Sequence, residues 1–274
     1  MTPSRLSFAL LVTARALSAQ GVVIAPHAVF IDARTRSGAV LLYNPNAEPA
    51  EVSVSFFFGY PVTDSLGRIV VDSIRADSTS PSAAGWLQAF PRRLSVPPLE
   101  RRTIRLLAVP PSPLKDREYW ARLVIAARGG SLPVTGAADT ARVKVGLTLE
   151  VRTVIGVFYR QGAVQTGVAV SGLRTALVGD SLAVWARLTQ LGNAAFIGTV
   201  RAVLVDASDR TRAALKAPIH VFNTMQPRYT LSIGALAPGR YRLKLELSSE
   251  REDLAPELVL PSPTVRDSVE VSVP

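Results

Sequence analysis

The chain contains no cysteine, and only two of its 274 residues are histidines. The lack of cysteine excludes a disulfide framework, thiolate zinc sites and a cysteine nucleophile. His27 and His220 stand far apart in the sequence, and neither has a neighbouring carboxylate. Isolated histidines of this kind are more often structural residues than metal ligands. No glycine-rich loop with its lysine is present to hold a phosphate, so we predict no metal site and no cofactor.

Sustained helical periodicity is also missing, and so is any apolar run of transmembrane length after the N-terminus. We therefore predict no integral membrane span. Lysine occurs only at positions 115, 144, 216 and 244, so the net charge of +10 rests on arginine. The arginines are spread along strand-like segments instead of forming the concentrated patch that nucleic-acid binding needs. We predict solvated strand faces and no nucleic-acid partner, with attraction to acidic envelope surfaces as a secondary interpretation.

The first 20 residues have the layout of a signal peptide. MTPSR supplies a positive charge, LSFALLVTA is a short apolar core, and small residues follow it. Cleavage after Ala16 or after Ala19 fits the pattern of small residues before a signal cleavage site. The apolar core is too short to span a bilayer, and the alternative is a first core strand or helix. We predict a protein that is periplasmic or secreted.

Short strand-like segments occupy most of the remaining sequence. Apolar residues alternate with polar ones in runs such as AEVSVSFFF and GRYRLKLELSS, and turn residues separate the runs. Many short strands at spacings of roughly 8–12 residues are typical of antiparallel sandwiches. We predict an all-β protein with two immunoglobulin-like antiparallel β-sandwich domains, at residues 21–160 and 161–274.

The longest alternating segment is RVKVGLTLEVRTVIGVFYR, from Arg142 to Arg160. Its odd positions are almost all apolar, and many of its even positions are polar or charged, which predicts extended chain with one apolar face. At about 3.3 Å per residue it could reach roughly 60 Å, far beyond an ordinary strand. Either it turns part-way, or it reaches something outside its own sheet. A long edge strand with alternating apolar side chains is what strand-addition chaperones present to their clients.

Residues 179–182 spell GDSL, the nucleophile block of one esterase family. A catalytic serine at Ser181 would need a histidine base within reach, and neither histidine lies in a D-x-x-H context. The helices of an α/β sheet are missing as well. We interpret the block as a turn that opens the strand Leu182 to Leu188, and we predict that the protein is not an enzyme.

Several blocks in the first half of the chain resemble the PapD-like periplasmic pilus-assembly (fimbrial) chaperones. GVVIAPHAVFID and VLLYNPN resemble their opening strands, and FPRRLSVPPLERRTIRLL resembles their proline-flanked loop and the strand after it. LKDREYWARLVI resembles the D-R-E block of the family, and VFYRQ resembles the F-Y-R-P that ends its long interactive strand. The order and spacing agree over about residues 21–161. The second half is similar only to generic immunoglobulin-like hairpins of secreted bacterial proteins.

The resemblance implies two sandwiches in a boomerang arrangement, joined near residues 158–165, and a mechanism of strand lending. In the family, the long strand lends apolar side chains to an incomplete pilin subunit, and backbone hydrogen bonds give affinity. The implied partners are pilin-like or other secreted β-rich subunits, and the exposed edge would also let two copies of the chain associate. The residues implied as lent to the client are Val143, Val145, Leu147, Leu149 and Val151. The alternative for each of them is that it faces the core of its own domain.

Two positions depart from what the family uses to anchor its client. The family holds the client's terminal carboxylate with an arginine on the first strand and a lysine just before F-Y-R, because a carboxylate in a cleft needs cationic donors. The corresponding residues here are His27 and Gly156, and neither replaces a permanent cation. Arg34 and Arg152 are nearby arginines that could substitute.

One charged pair of the family is matched. Its hinge holds a buried ion pair between the Glu of D-R-E and the Arg of F-Y-R, and the matching residues are Glu118 and Arg160. The resemblance implies that they meet between the domains, where loss of Arg160 would leave a buried carboxylate unpaired. The leading interpretation is an exported, non-enzymatic assembly chaperone that binds incomplete sheet proteins. The alternative is an exported immunoglobulin-like envelope scaffold or adhesion protein without chaperone activity.

Overall fold

The computed structural model describes residues 21–132, 147–234 and 236–273, apart from the side chains of residues 130–132 and 147–148. Regular structure in these ranges is β-strand, with one short 3-10 helix at Pro256–Leu258. Within them no helix is long and apolar enough to cross a membrane. The all-β fold predicted from the alternating sequence is confirmed. The predicted signal peptide lies outside the described residues.

The part of the chain before residue 162 forms a first group of strands. They are β1 (Val23–Ala25), β2 (Ala28–Asp32), β3 (Ser37–Tyr43), β4 (Ala50–Phe57), β5 (Pro61–Thr63), β6 (Ile69–Val71), β7 (Leu87–Phe90), β8 (Arg93–Val96), β9 (Arg101–Ala108), β10 (Arg117–Leu132) and β11 (Leu147–Gln161). The part after residue 165 forms a second group. They are β12 (Thr166–Val178), β13 (Ser181–Gly192), β14 (Phe196–Val205), β15 (Thr211–Val221), β16 (Thr224–Met225), β17 (Arg228–Ser232), β18 (Gly239–Ser248) and β19 (Val265–Val273).

Each group folds into two sheets. Sheet I has the strand order β1-β3-β9-β7, and sheet II has the order β2-β11-β10-β4-β8. Sheet III has the order β12-β13-β16, with β17 also paired to β13, and sheet IV has the order β15-β14-β18-β19. Strands β5 and β6 form a separate hairpin. Pairing between these strands is antiparallel, except that β2 runs parallel to β11 as an edge strand.

Alternation along the strands builds one core in each group. In β9, Ile104, Leu106 and Ala108 are at most 2% exposed, whereas the arginines between and before them face outward. In β13, Leu182, Val184, Ala186 and Leu188 alternate into the second core in the same way. Full burial of such a side chain contributes about 1.5–3 kcal/mol. The first core runs from Ile24 to Tyr159 and the second from Val168 to Val271.

A third apolar cluster lies where the two sandwiches meet, and we call it the junction cluster. Its buried members are Phe58, Trp120, Phe158, Ala195, Ile197 and Phe222, with the partly buried rings of Phe30 and Tyr60 packed against them. The hairpin of β5 and β6 also reaches the second sandwich, because the Arg228 amide donates to the Gly67 carbonyl at 2.8 Å. The junction therefore combines stacked aromatic rings with backbone hydrogen bonds.

Candidate strand-lending edge and junction

The strand β11 is covered along only part of one edge. It pairs with β10 along its length, from Leu147 to Gln161. On its other side, β2 pairs only with Gly156 to Arg160. No other described strand pairs with residues 147–155 on that side, and we call this stretch the open segment. Its backbone N–H and C=O groups are the kind of template to which another strand can add.

The side chains of β11 are divided between the core and the surface. The odd residues Ile155, Val157 and Tyr159 are at most 4% exposed and belong to the first core. Leu149 lies on the same face but is 39% exposed, and Val151 is half-buried. The sandwich thus covers this apolar face at one end of the strand and leaves it partly uncovered at the other.

The predicted client-binding residues fall into three groups. Val143 and Val145 lie outside the described residues. Leu147 begins β11, but its side chain is not described. Leu149 and Val151 lie in the open segment, where they line a small crevice with Ala127 and Gly129 of the neighbouring strand β10. Their role toward a client stays a prediction.

Glu118 and Arg160 are brought together at the junction. Arg160 Nε donates to Glu118 Oε2 at 3.0 Å, and Glu118 is 0% exposed. The same carboxylate accepts from Trp120 Nε1 at 2.8 Å and from the Ala195 amide of the second sandwich at 3.1 Å. Arg160 Nη2 donates to the Leu258 carbonyl at 2.8 Å, so the pair bonds to both sandwiches.

Burial has the largest influence on the pKa of Glu118 in this pair. Burial raises the pKa of Glu118, and the Arg160 guanidinium and the other donors oppose that shift. The guanidinium also lies over the ring of Phe30, with its carbon 4.7 Å from the ring centroid. Three donors satisfy the hydrogen-bonding capacity of the buried Glu118 carboxylate, and the stability of the folded protein depends on each of them.

The guanidinium of Arg122, on the neighbouring strand β10, fills the space beside Gly156. Arg122 of β10 is the cross-strand partner of Gly156, and it is only 6% exposed. A Cβ atom added at Gly156 would lie 2.9 Å from Arg122 Nη1 and 2.7 Å from Cε2 of the Phe158 ring. A side chain at this position would therefore have to displace the guanidinium or the ring, which fill the space beside the glycine.

Arg122 is held inside the junction and away from the surface. Its Nε donates to the Gly59 carbonyl at 3.0 Å, and its guanidinium lies 5.1 Å from the centroid of the Phe222 ring. Burial lowers the pKa of Arg122 to about 10. Its Nη2 atom has no hydrogen-bond partner among the described residues. Sequence reasoning missed this residue, although a lone arginine inside the otherwise apolar run YWARLVIAA was a usable signal.

The remaining anchor candidates lie apart from the junction interior. His27 is exposed in the turn before β2, one residue ahead of the cross-strand partner of Gly156. Arg34 is exposed in the turn after β2, where its backbone amide donates to Asp32. Arg152 pairs with Glu150, which also pairs with Arg128. Hydrogen bonds from Arg152 and Arg128 lower the pKa of Glu150, so Arg152 already has a carboxylate partner.

His220 is a structural histidine on the second sandwich. Its Nε2 lies 2.6 Å from Nη1 of Arg251, whose other donors bind Asp253 in a bidentate pair. A guanidinium only donates, so Nε2 must accept and the ring must be neutral. Burial, then Arg251 and Arg122, lower the pKa of His220 to about 4. No group of three or more His, Asp or Glu residues suited to a metal ion occurs in the described ranges.

The GDSL block forms a turn. Gly179 has a φ of 55° and, with Asp180, connects β12 to β13, which Ser181 opens. The predicted turn and strand are confirmed. Among the described residues no hydrogen bond joins Ser181 to a histidine, and the side-chain partner of His220 is Arg251.

No family model matches the chain. No curated protein matches it either. Among solved structures, it is similar to the YadV chaperone, at 16% identity over 91% of this chain and 99% of that chain, with a TM-score of 0.45. It is similar to the CsuC–CsuE chaperone–tip adhesion subunit pre-assembly complex from archaic chaperone-usher Csu pili of Acinetobacter baumannii, at 13% identity over 91% and 97%, with a TM-score of 0.46.

A further similar structure is the Pseudomonas aeruginosa CupB2 chaperone, at 13% identity over 92% of this chain and 100% of that chain, with a TM-score of 0.42. All three solved structures are of chaperones, alone or in complex.

Proposed function

We propose that this protein is a non-enzymatic chaperone that binds incomplete β-sheet subunits by lending them the open segment of β11. The observation that carries the proposal is this edge, residues 147–155, which has β10 on one side and no described strand on the other. Pilin-like and other secreted β-rich subunits are the partners that fit. Such subunits lack a strand of their own sandwich and would aggregate without one.

Strand addition uses two kinds of contact. Backbone hydrogen bonds along the edge supply affinity, and alternate side chains fill pockets of the partner. Leu149 and Val151 supply the side-chain contact, because they are apolar, lie on one face and are incompletely covered. Ile155 and Val157 lie on the same face but stay in the first core. Lending therefore involves the N-terminal half of β11 and leaves the other half in place.

We infer that binding proceeds without a cationic anchor for the client's carboxyl terminus. His27 and Gly156 supply no permanent cation, and the guanidinium nearest to position 156 belongs to Arg122, which is 6% exposed. The rings of Phe158 and Phe222 close around it. A client with an amidated carboxyl terminus should therefore bind as tightly as one with a free terminus.

A pilin-like domain that lacks one strand of its sandwich provides the test. Light scattering measures its aggregation in the presence of the full chain, and size-exclusion chromatography measures complex formation. We expect the parent to keep the client soluble and Leu149→Asp with Val151→Asp to lose this activity. Val154→Asp is the matched control, since Val154 is 45% exposed on the opposite face of the same segment. Equal activity of all variants would rule out strand lending.

An exported scaffold or adhesion protein is the alternative function. The observation that favours it is the lack of a permanent cation at His27 and Gly156, the positions that correspond to the family's client anchor. A scaffold would pair its open edge permanently, for instance with a second copy. A stable dimer that Leu149→Asp dissolves, with no protection of the truncated pilin, would support this alternative. Export to the periplasm or beyond the cell is expected for either function, and fractionation of cells expressing a C-terminally tagged chain would test it.

A further inference from the structure

The strands of sheet III contain no aspartate or glutamate, although they carry Arg174, Arg187 and Arg228. All three arginines are exposed. Among the described residues, no carboxylate lies within salt-bridge distance of any of them. The charge on this face is therefore of one sign and is not neutralised within the described part of the molecule.

Sheet IV, on the other side of the same sandwich, is different. Five of the seven cations on its strands pair with carboxylates, among them Arg266 with Glu246 at 2.7 Å, Lys244 with Asp209 at 2.6 Å and Arg212 with Asp206 at 2.6 Å, whereas Arg201 and Arg240 form no ion pair with a described residue. Sheet III differs because its strands carry no carboxylate and none of its three arginines pairs with a described residue.

Trp185 organises the arginines of sheet III into a row. The strand register aligns Arg174 of β12, Trp185 of β13 and Arg228 of β17 side by side. The guanidinium carbons lie 4.3 Å and 5.6 Å from the centroid of the Trp185 rings, respectively. Because neighbouring strands are about 4.8 Å apart, the two arginine backbones are separated by about 10 Å. Arg187 lies two residues along β13 on the same face.

A stacked guanidinium is held in place while its N–H groups stay available. Arginine combines stacking on an aromatic ring with bidentate bonds to a carboxylate. Tryptophan and arginine are also the residue types that dominate the binding energy of protein interfaces. One exposed apolar side chain borders the row: Leu66 beside Gly67, 59% exposed. Gly67 accepts from the Arg228 amide, which places Leu66 next to the row.

We propose that the outer face of sheet III binds an acidic protein surface, with carboxylates of that partner on Arg174, Arg228 and Arg187. Charge complementarity selects the partner, because three exposed cations without carboxylates favour a surface that supplies them. The aromatic centre and the apolar border favour a protein over a simple polyanion. This inference concerns a different sheet from β11 and does not depend on strand lending.

A short poly-glutamate peptide, with poly-glutamine of equal length as the uncharged reference, is the probe for the test. Binding to the full chain is measured by tryptophan fluorescence, and Trp185→Phe removes the signal of the row while keeping Trp86 and Trp120. We expect poly-glutamate to bind in a salt-dependent manner and poly-glutamine not to bind. The double change Arg174→Gln with Arg228→Gln should weaken binding by about tenfold or more.

The matched control removes the same charge from the opposite sheet. Arg201 and Arg240 are exposed in sheet IV and form no ion pair with a described residue, so Arg201→Gln with Arg240→Gln should leave affinity almost unchanged. Equal weakening by both double variants would overturn the proposal, because net charge alone would then explain binding. Binding to phosphatidylglycerol vesicles without binding to the peptide would also overturn it. If the double glutamine variant does not fold, Arg174→Lys with Arg228→Lys keeps the charge and should still weaken binding measurably.

Discussion

The two halves of β11 follow one alternating pattern in the sequence but lie in different surroundings. In the half from Gly156 to Arg160, β2 covers the edge, one face enters the first core and the other enters the junction cluster. In the open segment, no described strand covers the outer edge, and Leu149 is 39% exposed on the face that buries Ile155 to 4%. Alternation in the sequence therefore predicts the two faces of a strand, while residues distant in the chain decide which part of each face is covered.

The largest loss of stability is expected from removing Arg160, which lies in the covered half of β11. Arg160→Ala leaves the Glu118 carboxylate buried without its cation, which should cost about 3–5 kcal/mol of unfolding free energy. Urea denaturation measures the loss. The matched control is Arg152→Ala in the open segment, which removes an exposed arginine from Glu150 and should leave the denaturation midpoint near that of the parent. A parent-like midpoint for Arg160→Ala would contradict the importance of the pair.

The next largest loss of stability is expected for Ile155→Ala, and Leu149→Ala on the same face of β11 is the comparison. Ile155→Ala should cost about 2–5 kcal/mol, because it leaves a cavity in the first core. Leu149→Ala removes a side chain that is already 39% exposed, so its cost should stay below about 1 kcal/mol. Thermal and urea unfolding of both variants measure the difference. Equal losses would mean that the open segment is as well packed as the covered half.

Acidification should lower the stability of the folded protein, because His220 binds a proton more weakly in the folded than in the unfolded chain. Its pKa is about 4 in the folded protein and about 6.5 when unfolded, so the unfolded chain binds more protons between these values. Stability therefore rises with pH from about 4 to 6.5, and acidification through this window should cost roughly 3 kcal/mol. His220→Gln should lack this loss, and exposed His27→Gln should retain it. Identical profiles for His220→Gln and the parent would contradict a neutral, half-buried His220.

Gly156→Ala, which adds a Cβ atom at position 156, should cause the smallest loss of stability among the four predictions. Gly156→Ala places the new atom 2.7 Å from the Phe158 ring, and relief of that contact should cost about 1–3 kcal/mol. Gly85→Ala is the control, because an added Cβ there meets no atom within 4 Å. Urea midpoints compare the two variants. A Gly156→Ala protein as stable as Gly85→Ala would mean that Arg122 and Phe158 do not fill the space above the glycine.

Much of the fold could be predicted from the sequence, and parts of the junction could not. The turn before Ser181 and the alternation of β9 and β13 were readable because they depend on neighbouring residues. The contact between Glu118 and Arg160, 42 residues apart in the chain, was implied only by the family resemblance. Arg122 over Phe222 was not foreseen, because nothing in either local sequence indicates a contact between β10 and the second sandwich.

Alternating residues and turn residues are sufficient to predict the all-β class, the two groups of strands and the apolar face of β11. These properties follow from backbone geometry, since successive Cβ atoms alternate between the faces of a strand and turn residues interrupt it. Three features could be known only from the folded protein: β2 covers the edge of β11 only as far as Gly156, Arg122 fills the space beside that glycine, and Trp185 aligns two arginines. Those arrangements depend on contacts between residues far apart in the chain, and no local pattern specifies which distant side chain arrives at a given position.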